Sequence, residues 1–331
     1  MKVLQGSWES KSYDEIAQTY GYSAEYLNKY VGNKLWHKLS EALGERITQK
    51  NFKEDLRRAY EAEPRQSLQT TPLLKTLPSA ILQFPEGSVA LDSPFYIERS
   101  SIDSLCRERV IKPGSLIRIK APEMMGKTSL MTRILARAVR EKYQAVYLDL
   151  SAADLGMLTN FDDFMRWLCL MVSRQLKLEN KLNKYWDTDI LGSNDNCTVY
   201  FEEYLPAETP APLVLGLDEV DRLFAYAEVV EDFLGMLRSW HEKAKISDIW
   251  NKLRLVMAYS TEVYIPLDMN QSPFNAGVPV ELREFESQQM HDLARVHGLD
   301  WDEGQLRELI SAIGGHPYLV RLAMYSLSSE R

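Results

Sequence analysis

The chain has 331 residues, 45% apolar and 26% charged, with a formal net charge of −8 at neutral pH. That length accommodates one large domain or two, the apolar share supplies a sizeable core, and the acidic balance leaves no overall basic excess to hold nucleic acid. Cys106, Cys169 and Cys197 are scattered, odd in number and without metal-ligand spacing, as in a reducing compartment. No apolar run reaches the length of a membrane span, and the N-terminus MKVLQGSWESKS lacks the apolar stretch of a signal peptide, so a cytoplasmic protein without membrane contact is expected.

Residues 1–61 read as a small helical domain. Tyr13 to Tyr20 places Ile16, Ala17 and Tyr20 on one helical face. Gly21 breaks that helix, and Ser23 can cap a second, AEYLNKY, which gives the outline of a helix-turn-helix. A third helix carries Leu35, Trp36, Leu39 and Leu43, and a fourth begins near Asn51 and ends before Pro64. Residues 1–60 hold ten lysines and arginines against eight acids, and the second helix offers Asn28, Lys29, Asn33 and Lys34 beside Glu25. A DNA reader needs a more basic face, so a protein-binding module is favoured over a DNA-binding one. Residues 62–90, with Pro64, Pro72, Pro78 and Pro85, read as a semi-rigid linker.

The core is expected over residues 91–285. Phe95-Tyr96-Ile97-Glu98-Arg99 fits two readings, a segment that packs on a nucleotide base through Glu98 and Arg99, or an edge strand with a charged tip. Next comes SLIRIKAPEMMGKTSLM, residues 115–131, an apolar strand, a short loop and a helix. Around Gly126, Lys127, Thr128 and Ser129 this is the phosphate-binding (Walker A) pattern. Gly126 lets the backbone approach a phosphate, the first helical amides point at the anion, Lys127 would reach the outer phosphates and the Thr128 hydroxyl would ligate Mg²⁺. Ala121 stands where the pattern has its first glycine.

Helix Lys127–Glu141 leads to strand Ala145–Leu150, whose Asp149 serves either a supporting polar role or a solvated loop. Helix Phe161–Lys177 spaces Phe164, Trp167, Leu168, Met171, Val172 and Leu176 as core. Residues 179–197 read as a polar surface loop, followed by a helix over Val199–Tyr204. Leu213 to Leu217 is a continuous apolar run ending in Asp218-Glu219. Such a run is a buried parallel strand, and ligands bind at the carboxyl ends of such strands. There Asp218 would hold Mg²⁺ and Glu219 would orient or deprotonate a water, or else both simply begin a solvated loop. Helix Val229–Lys245 follows, with Arg238 read as solvated in preference to sensing phosphate or a neighbouring subunit, and then strand Leu253–Tyr259, which ends in Ser260-Thr261 where a hydroxyl can contact a phosphate or the water. Segment Pro266–Phe285 reads as an ordered loop with a last strand at Val280–Leu282.

Residues 286–331 read as a helical lid: Ser287–His297, Glu303–Ile313 and Pro317–Leu327, with Gly314-Gly315 ending one helix and Pro317 starting the next. His316 reads as a cap or surface histidine. The whole is expected to be α/β, a P-loop NTPase three-layer sandwich with a mostly parallel sheet, a small N-terminal helical domain and the C-terminal lid.

The stretches IKAPEMMGKTSL, LDEVDRLF, LRLVMAYSTEVYIPLDMNQSPFN and GGHPYLVRLA resemble the AAA-like ATPases found mostly in cyanobacteria, relatives of the signal-transducing STAND class of P-loop NTPases. The resemblance covers roughly residues 90–331; residues 1–60 are similar to the helical N-terminal domain of proteins associated with von Willebrand A/MoxR systems. It implies phosphate and Mg²⁺ binding by Gly126, Lys127, Thr128 and Ser129, an acidic pair in Asp218 and Glu219, and a sensor in Ser260. Gly315-His316-Pro317 resembles the turn that closes over the nucleotide, which brings Pro317 to the cofactor. STAND proteins usually continue into a winged helix and a sensor array. This sequence ends at Arg331, so a short form or a separate sensing partner is expected.

Together these readings imply an ATP- and Mg²⁺-binding switch with slow hydrolysis. It would signal to protein partners through its N-terminal helices and lid, and a nucleotide-dependent homo-oligomer is compatible with them. The alternatives are an ATP-modulated DNA-binding regulator acting through residues 13–43 and a nucleotide-bound scaffold without turnover.

Overall fold

The computed structural model describes residues 11–20, 23–33, 35–37, 40, 46, 48–51, 82–260 and 276–329. The expected fourth helix, residues 62–81 of the linker and residues 261–275 lie outside the described residues, as do Leu39 and Leu43. The chain divides into two compact units, residues 1–77 and 78–331.

In the first unit, α1 (Tyr13–Tyr20) opens with a reciprocal cap. The Ser12 amide donates to the Glu15 carboxylate at 2.7 Å and the Glu15 amide to the Ser12 hydroxyl at 3.3 Å, so two otherwise orphaned amides are satisfied. Ile16 and Ala17 face inward as the spacing requires. They pack with Leu27 from α2 (Ala24–Tyr26) and the π-helical turn Leu27–Gly32 that continues it, and with Trp36, whose indole donates to the Tyr13 hydroxyl at 2.7 Å.

The second unit is an α/β fold. An irregular segment, residues 82–99, leads into α3 (Ser100–Arg109). Then come β1 (Leu116–Ala121), α4 (Lys127–Arg140), β2 (Gln144–Asp149), α5 (Leu155–Thr159) and α6 (Phe161–Gln175). They are followed by α7 (Ser193–Val199), α8 (Leu205–Glu208), β3 (Leu213–Asp218), α9 (Ala227–Lys243), β4 (Leu253–Ser260) and β5 (Val278–Glu281). Three helices close the chain: α10 (Ser287–Val296), α11 (Glu303–Ile313) and α12 (Pro317–Ser329).

The five strands are paired in parallel in the order β2-β3-β4-β1-β5. Continuous burial along β3 and nearly all of β4 is what a sheet covered on both faces demands. On one face, Ile117, Ile119, Val214, Val256 and Ala258 meet Met131, Ile134, Leu135 and Ala138 of α4. On the other, Leu148, Leu215, Leu217 and Met257 meet Phe164, Leu168 and Val172 of α6 and Phe233, Leu237 and Trp240 of α9. The C-terminal helices form their own core, in which Met290, Leu293, Leu306, Val320 and Met324 close around Phe95 of the irregular segment.

Four expectations are corrected. Residues 179–197 are not a bare surface loop: Leu182, Trp186, Asn196 and Cys197 are buried, and α7 begins at Ser193. The Asn196 side chain binds the Asp187 amide and the Asp187 and Leu191 carbonyls, so one buried amide group satisfies a turn of polar backbone that composition alone leaves open. The helix expected over Val199–Tyr204 therefore starts six residues earlier and widens to a π-turn at Tyr200–Tyr204. Phe95 to Arg99 form no strand, and α3, which follows them, has no counterpart in the sequence reading. The last strand runs over Val278–Glu281 because it follows β1 in register, with Ile117 beside Val278.

Candidate functional site

The sheet brings the ends of four strands to one rim. In register, Asp149 of β2 lies beside Asp218 of β3, and Ala121 of β1 beside Ser260 of β4. The loop that leaves β1 reaches α4 through Gly126, at φ 97°, a left-handed conformation that a side chain would strain. Met124 in the same loop also has a positive φ, 57°. The first amides of α4 have no partner within the helix, which makes its start an anion site in principle.

Lys127, only 6% exposed, turns its ammonium onto the loop, where it donates to the carbonyls of Ala121 at 3.3 Å and Pro122 at 2.9 Å. The Thr128 hydroxyl donates to Asp218 Oδ2 at 2.7 Å, which ties the helix start to the end of β3. Asp218 is buried, and the Tyr147 hydroxyl donates to the same oxygen at 2.9 Å. Its other oxygen accepts the Glu219 amide at 3.0 Å.

Glu219 itself has φ 54° and ψ 39°, the left-handed region, on a side chain that disfavours it. Burial, and then the carboxylates of Asp221 and Asp218, push its carboxyl up to about 7. Asp221 accepts the Ser260 amide at 2.7 Å and so fixes the end of β4 beside the acidic pair.

Two further groups reach the loop from the C-terminal side. Arg99, 8% exposed, donates to the carbonyls of Met125 at 3.0 Å and Arg283 at 3.2 Å and lies over the Phe285 ring. Burial holds its guanidinium below the usual arginine range. At the turn before α12, the Gly315 amide donates to Glu284 at 3.0 Å and the Phe285 amide to the Gly315 carbonyl at 2.7 Å. His316 Nε2 donates to the Glu123 carbonyl at 3.2 Å, while Nδ1 is buried without a partner and burial lowers the ring's basicity. Pro317 begins α12 directly after it. His316 holds the capping position of α12, where its carbonyl accepts the Val320 amide at 2.9 Å, and its ring is partly buried.

Lys127, Thr128, Asp218, Glu219 and Ser260 therefore share one rim, and Arg99 and the turn at residues 315–317 adjoin the same loop. Two expected site residues are engaged differently. The Glu98 carboxylate pairs with Arg107 at 2.8 and 3.2 Å, which holds it below the usual range. The Ser129 hydroxyl accepts the Val89 amide at 2.8 Å. Tyr147 and Asp221 were missed as site residues. For Tyr147 the available signal was a hydroxyl two positions before an acid on an apolar strand, and for Asp221 an acid spaced three from Asp218.

A family described as AAA-like domain matches residues 84–331, three quarters of the sequence, and the chain belongs to it. Residues 1–59 match the family described as vWA-MoxR associated protein N-terminal HTH. No curated protein matches. Among solved structures, the chain is similar to the ORC2 protein of Aeropyrum pernix in its ADPNP–ADP complexes, with 18% identity over 69% of this chain and 61% of that one and a TM-score of 0.47. It is similar to Cdc6p from Pyrobaculum aerophilum at 15% identity, 74% and 66% coverage and a TM-score of 0.47. It is also similar to AMPPCP-bound DnaA from Aquifex aeolicus at 13% identity, 68% and 59% coverage and a TM-score of 0.40. The chain thus spans about three fifths of the first of these structures. No helix among the described residues is long and apolar enough to cross a membrane.

Proposed function

We propose that this chain is an ATP-binding switch of the STAND-related kind, working in the cytoplasm with Mg²⁺ and hydrolysing ATP slowly. The observation that carries the reading is the 2.7 Å bond from Thr128 to Asp218, which sets a helix start, a buried lysine and a carboxylate around one point.

The residues fit both groups. A hydroxyl beside a carboxylate is the hard oxygen donor set that Mg²⁺ takes, so Thr128 and Asp218 would hold it. The open amides of α4, the side-chain-free Gly126 and the Lys127 ammonium suit a phosphate chain. When bound, the cation supplies neutralisation of charge on the outer phosphates. Lys127 would exchange the loop carbonyls for phosphate oxygens, so that its ammonium stays hydrogen-bonded in both states. Glu219, its carboxyl poised near working pH, takes the proton of the attacking water. Ser260, its amide fixed by Asp221, orients that water or the terminal phosphate. Arg99 and the Gly315-His316-Pro317 turn let the C-terminal helices act as a lid that responds to the occupant of the loop.

The N-terminal module binds a protein partner in this reading. Its exposed Lys29 is already paired with Glu25 at 2.6 Å, which cancels charge that a DNA contact would use. Duplex DNA held by the full chain at low salt would favour the regulator reading instead.

The test is Mg²⁺-dependent ATP binding and turnover by wild type, Lys127→Ala and Glu219→Gln, with mass followed by light scattering to detect nucleotide-dependent self-association. Lys127→Ala should lose binding. Glu219→Gln should keep binding and lose turnover by about 100-fold or more. Unchanged affinity in Lys127→Ala would sink the assignment. Binding without turnover in wild type would make the protein a scaffold.

A further inference from the structure

The Tyr147 hydroxyl is the one side-chain contact given for the buried acid that the proposed chemistry does not use. Asp218 accepts three donors: the Glu219 amide on Oδ1, and the Thr128 and Tyr147 hydroxyls on Oδ2. A carboxylate removed from water needs such partners, and their directions decide which lone pairs remain free.

Tyr147 is held in place from several sides. It lies on β2, beside Gly216 of β3 in register, so the neighbouring position on the same face carries no side chain to crowd the ring. A Cβ at Gly216 would stand 3.1 to 3.4 Å from Leu135 and Met131 of α4. Because β2 is the outermost strand, no further strand among the described residues pairs with its outer edge. Gln175, the last residue of α6, closes that edge at Tyr147. Its side-chain oxygen accepts the Tyr147 amide at 3.0 Å and its nitrogen donates to the Tyr147 carbonyl at 2.6 Å. Backbone and hydroxyl of one residue are thus both pinned, the first by Gln175 and the second by Asp218.

We infer that Tyr147 is a positioning residue that orients Asp218 for the Mg²⁺ of the proposed nucleotide site. The inference rests on that proposed function. Once the Thr128 hydroxyl serves the cation, Tyr147 is the side-chain donor left on Oδ2, and it keeps the carboxylate plane fixed while the remaining lone pairs face the metal. Partners that hold a ligand in this way are worth about 10- to 100-fold in metal affinity.

The test measures equilibrium binding of a fluorescent ATP analogue to the full chain across a Mg²⁺ titration and in chelator. It compares wild type, Tyr147→Phe, Asp218→Asn and the double variant. Tyr147→Phe keeps the ring and its packing. It should retain wild-type affinity in chelator and need about tenfold more Mg²⁺ for half-maximal enhancement. In the Asp218→Asn background it should add nothing, since the effect runs through that carboxylate. Gln175→Leu, which frees the strand edge without touching the phenol, should shift the Mg²⁺ requirement in the same direction. Three results overturn the inference: a wild-type Mg²⁺ curve for Tyr147→Phe, an equal shift in the Asp218→Asn background, or a parallel loss of metal-free binding, which would mark a merely structural role. Wild type whose nucleotide binding is absent or indifferent to Mg²⁺ defeats the proposed function itself, and that is read before any variant.

Discussion

At the scale of single residues, the site carries two side chains in the left-handed backbone region, Met124 at φ 57° and Glu219 at φ 54°. Holding a residue there costs about 1–2 kcal/mol, and such outliers gather where geometry serves something other than stability. Met124 tests this, because half its side chain is exposed and little packing is lost on replacement. Met124→Gly should stabilise by up to about 1 kcal/mol, since relief of about 1–2 kcal/mol of strain exceeds the roughly 0.5–1 kcal/mol cost of an unfolded glycine's freedom. Met124→Val should cost more than about 1 kcal/mol, because a branched Cβ fits this region worst. Thermal unfolding of both variants decides; equal midpoints for Gly and Val would show that the loop relaxes out of the conformation. The same scale shows what the sequence could disclose. Lys127, Thr128, Asp218, Glu219 and Ser260 were legible because each sits at the end of a strand or the start of a helix inside a short local pattern. Arg99 was named from its local segment, but its contact with Arg283, 184 positions on, was not, and Tyr147 was missed altogether, 71 positions from Asp218. No window of sequence contains such a pair.

At the scale of elements, three helices end in the same way, and the residue types differ instructively. After α4, the Lys142 amide bonds the Val139 carbonyl and the Tyr143 amide that of Ala138; after α6, Lys177 and Leu178 repeat this with Arg174 and Ser173. After α10, Gly298 and Leu299 do so with Arg295 and Ala294. Each is a Schellman ending, which needs a left-handed residue just past the helix and an apolar one after it. Only α10 uses glycine; Lys142 and Lys177 sit at φ 62° and 59°. Lys142→Gly and Lys177→Gly should therefore each stabilise the fold by about 0.5–1 kcal/mol, and additively, because the two sites are on separate helices. Gly298→Ala should destabilise by a like amount. Chemical denaturation checks all three, and a loss of stability in both lysine variants would refute the reading. These endings also explain which boundaries were legible. The long amphipathic helices α4, α6 and α9 follow apolar spacing and appeared within two residues of their expected ends. α3 and α7 did not appear, because α3 buries little beyond Asp103 and Cys106 and α7 little beyond Asn196 and Cys197, so neither presents an apolar stripe. α3 is set instead by its acid: Asp103 accepts the Arg99 amide one turn back at 2.8 Å and the Tyr96 hydroxyl seven residues back at 2.6 Å.

At the scale of the molecule, alternation of strands and helices announced a parallel α/β unit, but the strand order does not follow from alternation and had to come from the fold. The C-terminal helices are a separate core beside that sheet, and their weak point is a histidine. His297 is buried, with Nδ1 donating to the Leu293 carbonyl at 2.9 Å and Nε2 without a partner. Phe95 packs its ring against His297 at 4.6 Å and carries the Arg321 guanidinium from α12 at 5.0 Å, so a protonated His297 would add a second buried cation around one aromatic ring. Burial first, and Arg321 as a lesser cause, lower the His297 basicity, and burial also lowers that of His316 in the same bundle. The sign follows by linkage. Unfolded histidine takes its proton near pH 6.5, whereas these two resist it while folded, so the unfolded state binds more protons below that point. Their stabilising contribution is full at neutral pH and is lost as pH falls below about 6.5. The C-terminal bundle should open before the sheet on acidification. Amide exchange across α10 and α12 should accelerate between pH 7 and 5.5 beyond the intrinsic rate, while β3 and β4 stay protected. His297→Gln, which keeps a donor for the Leu293 carbonyl but cannot titrate, should flatten that pH dependence. An exchange profile in His297→Gln as steep as in wild type would place the acid sensitivity elsewhere in the chain.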